Sequence, residues 1–320
     1  MLALTLKNMA TAAKRRLILG TRGSRLALWQ AGYVKKQLEE EYGDLVVTIK
    51  VIKTTGDKIK KTPLNKVGGK ALFLKEIEDQ LLAGKVHVGV HSMKDVPNLL
   101  PKGLAIAAIL KREDPRDVFV SKKFDSLLQL PKKAKVGTSS LRRQAQLKNF
   151  RPDLEVVPLR GNVETRIRKM AGGNPPAVIL AAAGLTRLGM ASKITEYLPT
   201  TLMLPAVGQG AIGLEVREND LDTRRLIDFM NDIATVQCLQ AERAFSRALE
   251  GDCQAPIGAY AEINGQELRL TGMVASPDGR ELIRDRIEGN IRDAAAVGEQ
   301  LAKSLFGQGA REILRSCRGK

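Results

Sequence analysis

The segment KVGTSSLRRQAQLKNFRPDLEVVPLRGNVETRIRKM, residues 135–170, contains two strand–turn–helix units in succession. Lys135–Gly137 and Glu155–Pro158 are short β-rich runs. Each passes through a polar turn into a helical pattern, Ser140–Phe150 and Asn162–Met170. Strands alternating with helices predict an α/β architecture. The pattern extends both ways: Val118–Ser121 precedes it and Val178–Ala181 follows. An earlier set reads as strand Leu17–Gly20, helix Ser24–Tyr42, strand Leu45–Ile52, amphipathic helix Lys70–Leu82, and buried strands Val86–Val90 and Leu104–Leu110. Ala211–Val216 is one more strand; following the second set, it is placed to return to the first sheet. From Ala234 the style changes to a helix, three strand-like runs (Ile257–Ile263, Leu268–Ala275, Leu282–Glu288) and two final helices, which suits a small α+β domain. The expected division is residues 1–110 with 211–230, residues 116–204, and residues 233–320.

At 320 residues the chain is long enough for two or three such domains. No apolar run approaches the ~20 residues of a membrane helix, so no membrane partner is expected. Lys and Arg number 52 against 35 Asp and Glu, a net charge of +17 that points to an anionic partner or substrate. Aromatics are only 4%, which argues against single-strand nucleic-acid binding by base stacking. Cys238, Cys253 and Cys317 are too few for a disulfide framework, and none forms a CxxC pair, so neither structural zinc nor an oxidising compartment is indicated. Residues 1–16 are basic and lack the apolar block of a secretory signal. They read either as a short organelle transit segment or as a leader ahead of a start at Met9. The expected location is the cytoplasm, with the plastid stroma as the alternative for a transit remnant.

Four clusters carry candidate chemistry. HSMKDVP, His91 to Pro97, follows a strand, and the carboxyl ends of strands are where open α/β sheets place ligands. Its adjacent Lys94 and Asp95 offer an anion contact and a carboxylate for proton handling, though such a turn in isolation is also an ordinary solvated one. GTSSLRRQ, Gly137 to Gln144, sets Thr138, Ser139 and Ser140 at a helix start beside Arg142 and Arg143, a donor array suited to carboxylates or phosphates. LRGNVETR, Leu159 to Arg166, repeats that layout with Arg160 and Arg166, and Arg22 and Arg187 also follow strand-like runs. Any one of these arginines has a bland surface reading; several at strand exits would line a shared cleft suited to a ligand with many carboxylates. EGDCQAPIG, Glu250 to Gly258, places Cys253 on a Gly/Asp-rich turn, where the alternative is an unremarkable thiol.

HSMKDVP, GTSSLRRQ, LRGNVETR, LPAVGQGAIG and EGDCQAPIG, in this order and from about Leu17 to the C-terminus, resemble the porphobilinogen deaminase (hydroxymethylbilane synthase) family. The resemblance implies a transferase of haem and tetrapyrrole biosynthesis. It would condense four porphobilinogen molecules head to tail, releasing ammonia each time, on a covalent dipyrromethane cofactor. It implies two αβ domains like those of type II periplasmic binding proteins plus a C-terminal α+β domain, with crossings near Lys111–Arg116 and Leu204–Gly210. It makes Asp95 the catalytic carboxylate and Cys253 the thioether anchor. Lys94, Ser139, Ser140, Arg142 and Arg143 would hold cofactor carboxylates. Arg22, Arg160, Arg166 and Arg187 would bind substrate, Ser24, Ser92, Thr138 and Gln209 would line the cleft, and Lys66, Lys70 and Phe73 would lie on a mobile loop. A monomer acting on a small molecule, without metal or nucleic acid, is expected. Arg25, Ala71 and Asp252 depart from the usual family pattern, where proline, glycine and a small residue are common. Two rivals are a small-anion binding protein, which leaves Asp95 with a loop cysteine unexplained, and a nucleic-acid binder, argued from charge alone.

Overall fold

In a computed structural model of the chain, residues 15–58, 74–249 and 255–318 are described. The first part runs β1 (Arg15–Thr21), α1 (Arg25–Glu41), β2 (Leu45–Val51), α2 (Thr55–Lys58), α3 (Lys75–Leu82), β3 (Val88–Ser92), a 3-10 turn at Met93–Asp95, and β4 (Leu104–Ile109). The second runs β5 (Asp117–Ser121), β6 (Lys135–Gly137), α4 (Leu141–Phe150), β7 (Glu155–Val157), α5 (Val163–Ala171), β8 (Ala177–Ala181), α6 (Ala182–Arg187) and β9 (Glu196–Tyr197). Then follow β10 (Ile212–Arg217), α7 (Leu221–Ile227), α8 (Ile233–Ala248), β11 (Ile257–Asn264), β12 (Glu267–Ala275), β13 (Leu282–Asn290), α9 (Ala294–Gly307) and α10 (Ala310–Arg318).

Two mixed five-stranded sheets have the same layout, β2-β1-β3-β10-β4 and β7-β6-β8-β5-β9, with the strands next to β1 and β6 parallel to them. In each, one antiparallel strand is inserted beside the third parallel strand, β10 in the first and β5 in the second. The return of 211–216 to the first sheet is therefore observed, with β10 between β3 and β4. The third sheet, β11-β12-β13, is an antiparallel meander against which α8 and α9 pack around Phe245, Leu270 and Leu301. α1 docks Ala31, Val34 and Leu38 onto the first sheet, where they join Leu17, Leu19, Val88 and Val90 in one core.

The two chain crossings lie side by side. Leu110 N donates to Ile212 O at 3.0 Å, and Glu113 N to Gly210 O at 3.2 Å. Gly210 has φ +94°, and a Cβ there would stand 2.3 Å from Glu113 O, so only glycine lets the strands meet this closely. Arg112 ties the crossing to the C-terminal part. Its guanidinium pairs with Glu242 of α8 at 2.5 Å and donates through Nε to Gln209 O at 2.8 Å.

Two expectations shift. The strand predicted at Val86–Val90 runs from Val88 to Ser92, because Val86 N still closes the end of α3 by donating to Gln80 O. Of the helix predicted at Lys70–Leu82, Lys75–Leu82 is helical with Leu74 as N-cap; residues 70–73 lie outside the described residues.

Candidate active site

β3 delivers the HSMKDVP turn to its carboxyl end, where β10 is its antiparallel neighbour. Ser92 is held by Gln30 of α1 (2.9 Å), Met93 is buried, and Met93 N donates to Ala211 O at 3.0 Å. These contacts fix the short 3-10 turn that presents Lys94 and Asp95. Arg22, Ser24, Gln30, Leu74, His91, Ser92 and Asp95 line one small cavity at the ends of β1 and β3. Ser24 also caps α1, its hydroxyl accepting from Ala27 N at 3.3 Å.

The second sheet faces this turn with cations. Asp117, at the start of β5 and fully buried, accepts from Arg142 (2.7 Å), from Arg143 Nη2 (2.7 Å) and Nε (3.0 Å), and from Gln209 Nε2 (2.9 Å). The two guanidiniums hold its carboxyl far below the ordinary range, against the opposing effect of burial. Lys94 Nζ reaches Gln209 Oε1 at 3.5 Å, so Lys94, Gln209, Asp117 and the two arginines form one chain linking the sheets. Burial lowers the Lys94 ammonium to about 8; Asp95 pulls it up while Arg143 and Arg142 push it down. Arg166 is lowered to about 10 by burial, helped by Arg143 and opposed by Asp95. Asp95 and Arg143 act on both groups, so Lys94 and Arg166 lie within electrostatic reach of the same carboxylate and the same buried guanidinium. Neither Lys94 nor Arg166 forms an ion pair among the described residues.

Other expected residues are placed differently. Arg142 and Arg143 are buried, and their donors go to Asp117, to Leu204 O (2.5 Å) and to Ile179 O (3.0 Å). They supply positive field from behind the cleft wall rather than exposed forks. The sequence motif shows the arginines but not the carboxylate that pairs with them. Thr138 is buried and accepts from Ser140 N (3.2 Å), Ser140 caps α4, and exposed Ser139 bridges to Leu159 by donating to its carbonyl (2.9 Å). Arg160 is half-buried at the entry to α5. Arg187 donates to Gly210 O at 2.7 Å and lies 5.8 Å from the Trp29 ring; it lines a separate open groove with Arg25, Leu28 and Trp29. Arg25 reaches Glu164 of α5 at 3.1 Å. Lys66, Lys70, Phe73, Cys253 and the departures Ala71 and Asp252 lie outside the described residues.

Sequence reasoning missed Asp117, Gln30 and Glu242. Each is a single polar residue in an otherwise apolar or helical run, and only its partners in space reveal it.

Two αβ sheets meet beside a carboxylate with Lys94 and Arg166, neither of them in an ion pair among the described residues, an arrangement suited to an anionic small molecule. A family model, "Porphobilinogen deaminase, dipyromethane cofactor binding domain", matches residues 17–225, and the model of the family's C-terminal domain matches residues 236–307. The porphobilinogen deaminase of Geobacter sulfurreducens is 52% identical over 302 residues, covering 94% of this chain and 95% of that protein. That of Lawsonia intracellularis is 51% identical over 303 residues, covering 94% and 98%. Among solved structures, the methionine-binding protein MetQ is similar with a TM-score of 0.44 at 13% identity, covering 74% of this chain and 95% of that one. The chain belongs to the porphobilinogen deaminase family.

Proposed function

We propose that the cleft around Lys94, Asp95 and Arg166 is where this chain performs the family's reaction, the stepwise head-to-tail condensation of four porphobilinogen molecules into hydroxymethylbilane. The observation that carries this is the pair Lys94 and Arg166: part-buried cations near Asp95 that form no ion pair among the described residues. Such cations suit acetate and propionate groups, so the residues present fit a dipyrromethane carrying those side chains. Lys94 and Arg166 would grip its carboxylates while Arg142 and Arg143 reinforce the positive field from behind. When bound through Cys253, the cofactor supplies the pyrrole carbon on which chain growth begins.

Asp95 then has two tasks. Loss of ammonia from an incoming substrate leaves a cation shared with its ring nitrogen, and a fixed carboxylate beside that N–H stabilises the charge as it develops. The same carboxylate takes the proton that the ring carbon loses after coupling and, as the acid, gives it to the leaving amine of the next substrate, work typically contributing about 10²–10⁴-fold. Arg22, Ser24 and Ser92 line the small cavity with Asp95 and would orient the ring; Arg160, at the entry to α5, and Arg187, in the separate groove, would take carboxylates of the lengthening poly-acid. The expected division into residues 1–110 with 211–230, 116–204 and 233–320 accords with the three sheets. No helix among the described residues is long and apolar enough to cross a membrane. A cytoplasmic monomer is proposed, for which light scattering would return about the chain mass of 34.9 kDa.

Intact-mass spectrometry tests the assignment of the anchor. The parent protein, purified after expression in cells making porphobilinogen, is expected to carry a two-pyrrole addition that Cys253→Ser lacks. A bare-polypeptide mass in active parent enzyme would remove the covalent cofactor from the account.

A further inference from the structure

Directly behind the Asp95 turn lies a buried charged group that the reaction above does not use. His91 of β3, Glu215 of β10 and Glu78 of α3 are 5%, 0% and 6% exposed. His91 Nε2 stands 2.9 Å from Glu215 Oε2, and neither Glu215 oxygen has a hydrogen-bond partner among the described residues. Glu78 lies within electrostatic reach of both, and burial, with Glu215 second, raises its carboxyl to about 7.

The backbone is built around this group. Gly89 is the register partner of Glu215, and a Cβ on it would stand 2.6 Å from His91 Nε2 and 3.1 Å from Ile77 Cγ2. The imidazole therefore lies over a glycine, turned along the sheet toward Glu215 and under α3. The elements packed on α3 bring few other charges to this place. β4 has no titratable residue, and β1 has only Arg15, paired with Asp44, and exposed Arg16. Arg217 of β10 is taken up by Asp220 and by the carbonyls of Leu81 and Val86. Within α3 itself, Glu76 accepts from Thr55 and Lys75 is exposed, while Asp79 adds a weak repulsion on Glu78. Beyond the strand, His87 accepts from Ile18 N and Asp95 faces the cleft.

Burying two carboxylates beside one imidazole is costly while both acids are ionised, and a proton held on Glu78 removes one of the two negative charges. We propose that Glu78, His91 and Glu215 are positioning residues for the reaction: by holding α3 and β10 against β3 as one buried cluster, they fix the height and orientation of the turn bearing Asp95, four residues beyond His91. The proposal rests on the assignment of Asp95. Loss of the Glu78 proton sets a second buried carboxylate charge near Glu215, so α3 is pushed away from β10 and the turn beside it.

The test compares Glu78→Gln, which copies the protonated acid, with the parent holoenzyme across pH 6 to 8.5. The ratio of kcat for the variant to kcat for the parent is expected to rise at least threefold over that range with KM unchanged; a flat ratio overturns the proposal. Thermal unfolding gives a readout independent of turnover. A carboxyl raised in the folded state stabilises it fully below the unfolded value, and that contribution is lost as pH climbs through about 7. The parent is therefore expected to lose Tm relative to Glu78→Gln from pH 5 to 8, and parallel curves would contradict the cluster. His91→Gln is expected to lose kcat at least tenfold while loading cofactor normally by mass. The double change His91→Gln/Glu215→Gln, which removes the imidazole and the carboxylate it faces together, is expected to recover to within about threefold of the parent. No recovery counts against the electrostatic account, and Glu78→Gln still decides if either His91 variant fails to fold. If Asp95→Asn turns over normally, it is the Asp95 assignment that fails; if Asp95→Asn is inactive and the Glu78→Gln ratio is flat, only the cluster fails.

Discussion

At the scale of single residues, Lys94 gives the cleft a pH signature of its own. Burial brings its ammonium down to about 8, so it is charged at neutral pH and loses its proton as pH rises through that value. The grip on substrate carboxylates is then expected to weaken, raising KM between pH 7 and 9.5. A bound carboxylate favours the charged form and moves the midpoint upward in the complex. Lys94→Arg keeps its charge throughout this range and should flatten the profile. An unchanged KM profile in that variant would show that Lys94 does not hold the ligand. The Glu78 cluster acts on kcat and Lys94 on KM, so one pH series separates them.

At the scale of elements, the start of β5 matters most. Among the described residues Asp117 is the one carboxylate paired with both buried guanidiniums, and it also receives Gln209 from the returning crossing. Asp117→Ala is expected to destabilise the fold by about 3–5 kcal/mol, because an uncompensated charge remains buried. Denaturant unfolding checks this, and a loss below about 1 kcal/mol would put the pair in the range of exposed ion pairs. Most elements were legible from the chain. The alternation of apolar runs with Ser- or Asn-led helical patterns gave α1, α4, α5 and the strands that flank them to within a few residues. Glu196–Tyr197 and Ala182–Arg187 escaped because two or six residues carry no readable period. The candidate site was half legible: arginines at strand exits show in sequence, but their pairing with Asp117 is made by residues 25 and 26 positions apart.

For the whole molecule, the argument turns on how two like sheets meet. The paired crossings at residues 110–116 and 204–212 bring the Asp95 turn of one sheet against the cationic wall of the other. Glu242 anchors both crossings to the third part by accepting from Arg112, Gly208 N (2.8 Å) and Ala261 N (2.9 Å). The net charge of +17 finds part of its purpose here, since every added pyrrole brings two more carboxylates to be held. The most direct measurement is ammonia release and product formation on incubation with porphobilinogen, for the parent and for Asp95→Asn loaded with equal cofactor by mass. The account predicts four ammonia per tetrapyrrole from the parent, with a product that cyclises to uroporphyrin, and a loss of about 10²-fold or more in the variant. Turnover in Asp95→Asn near that of the parent would contradict it.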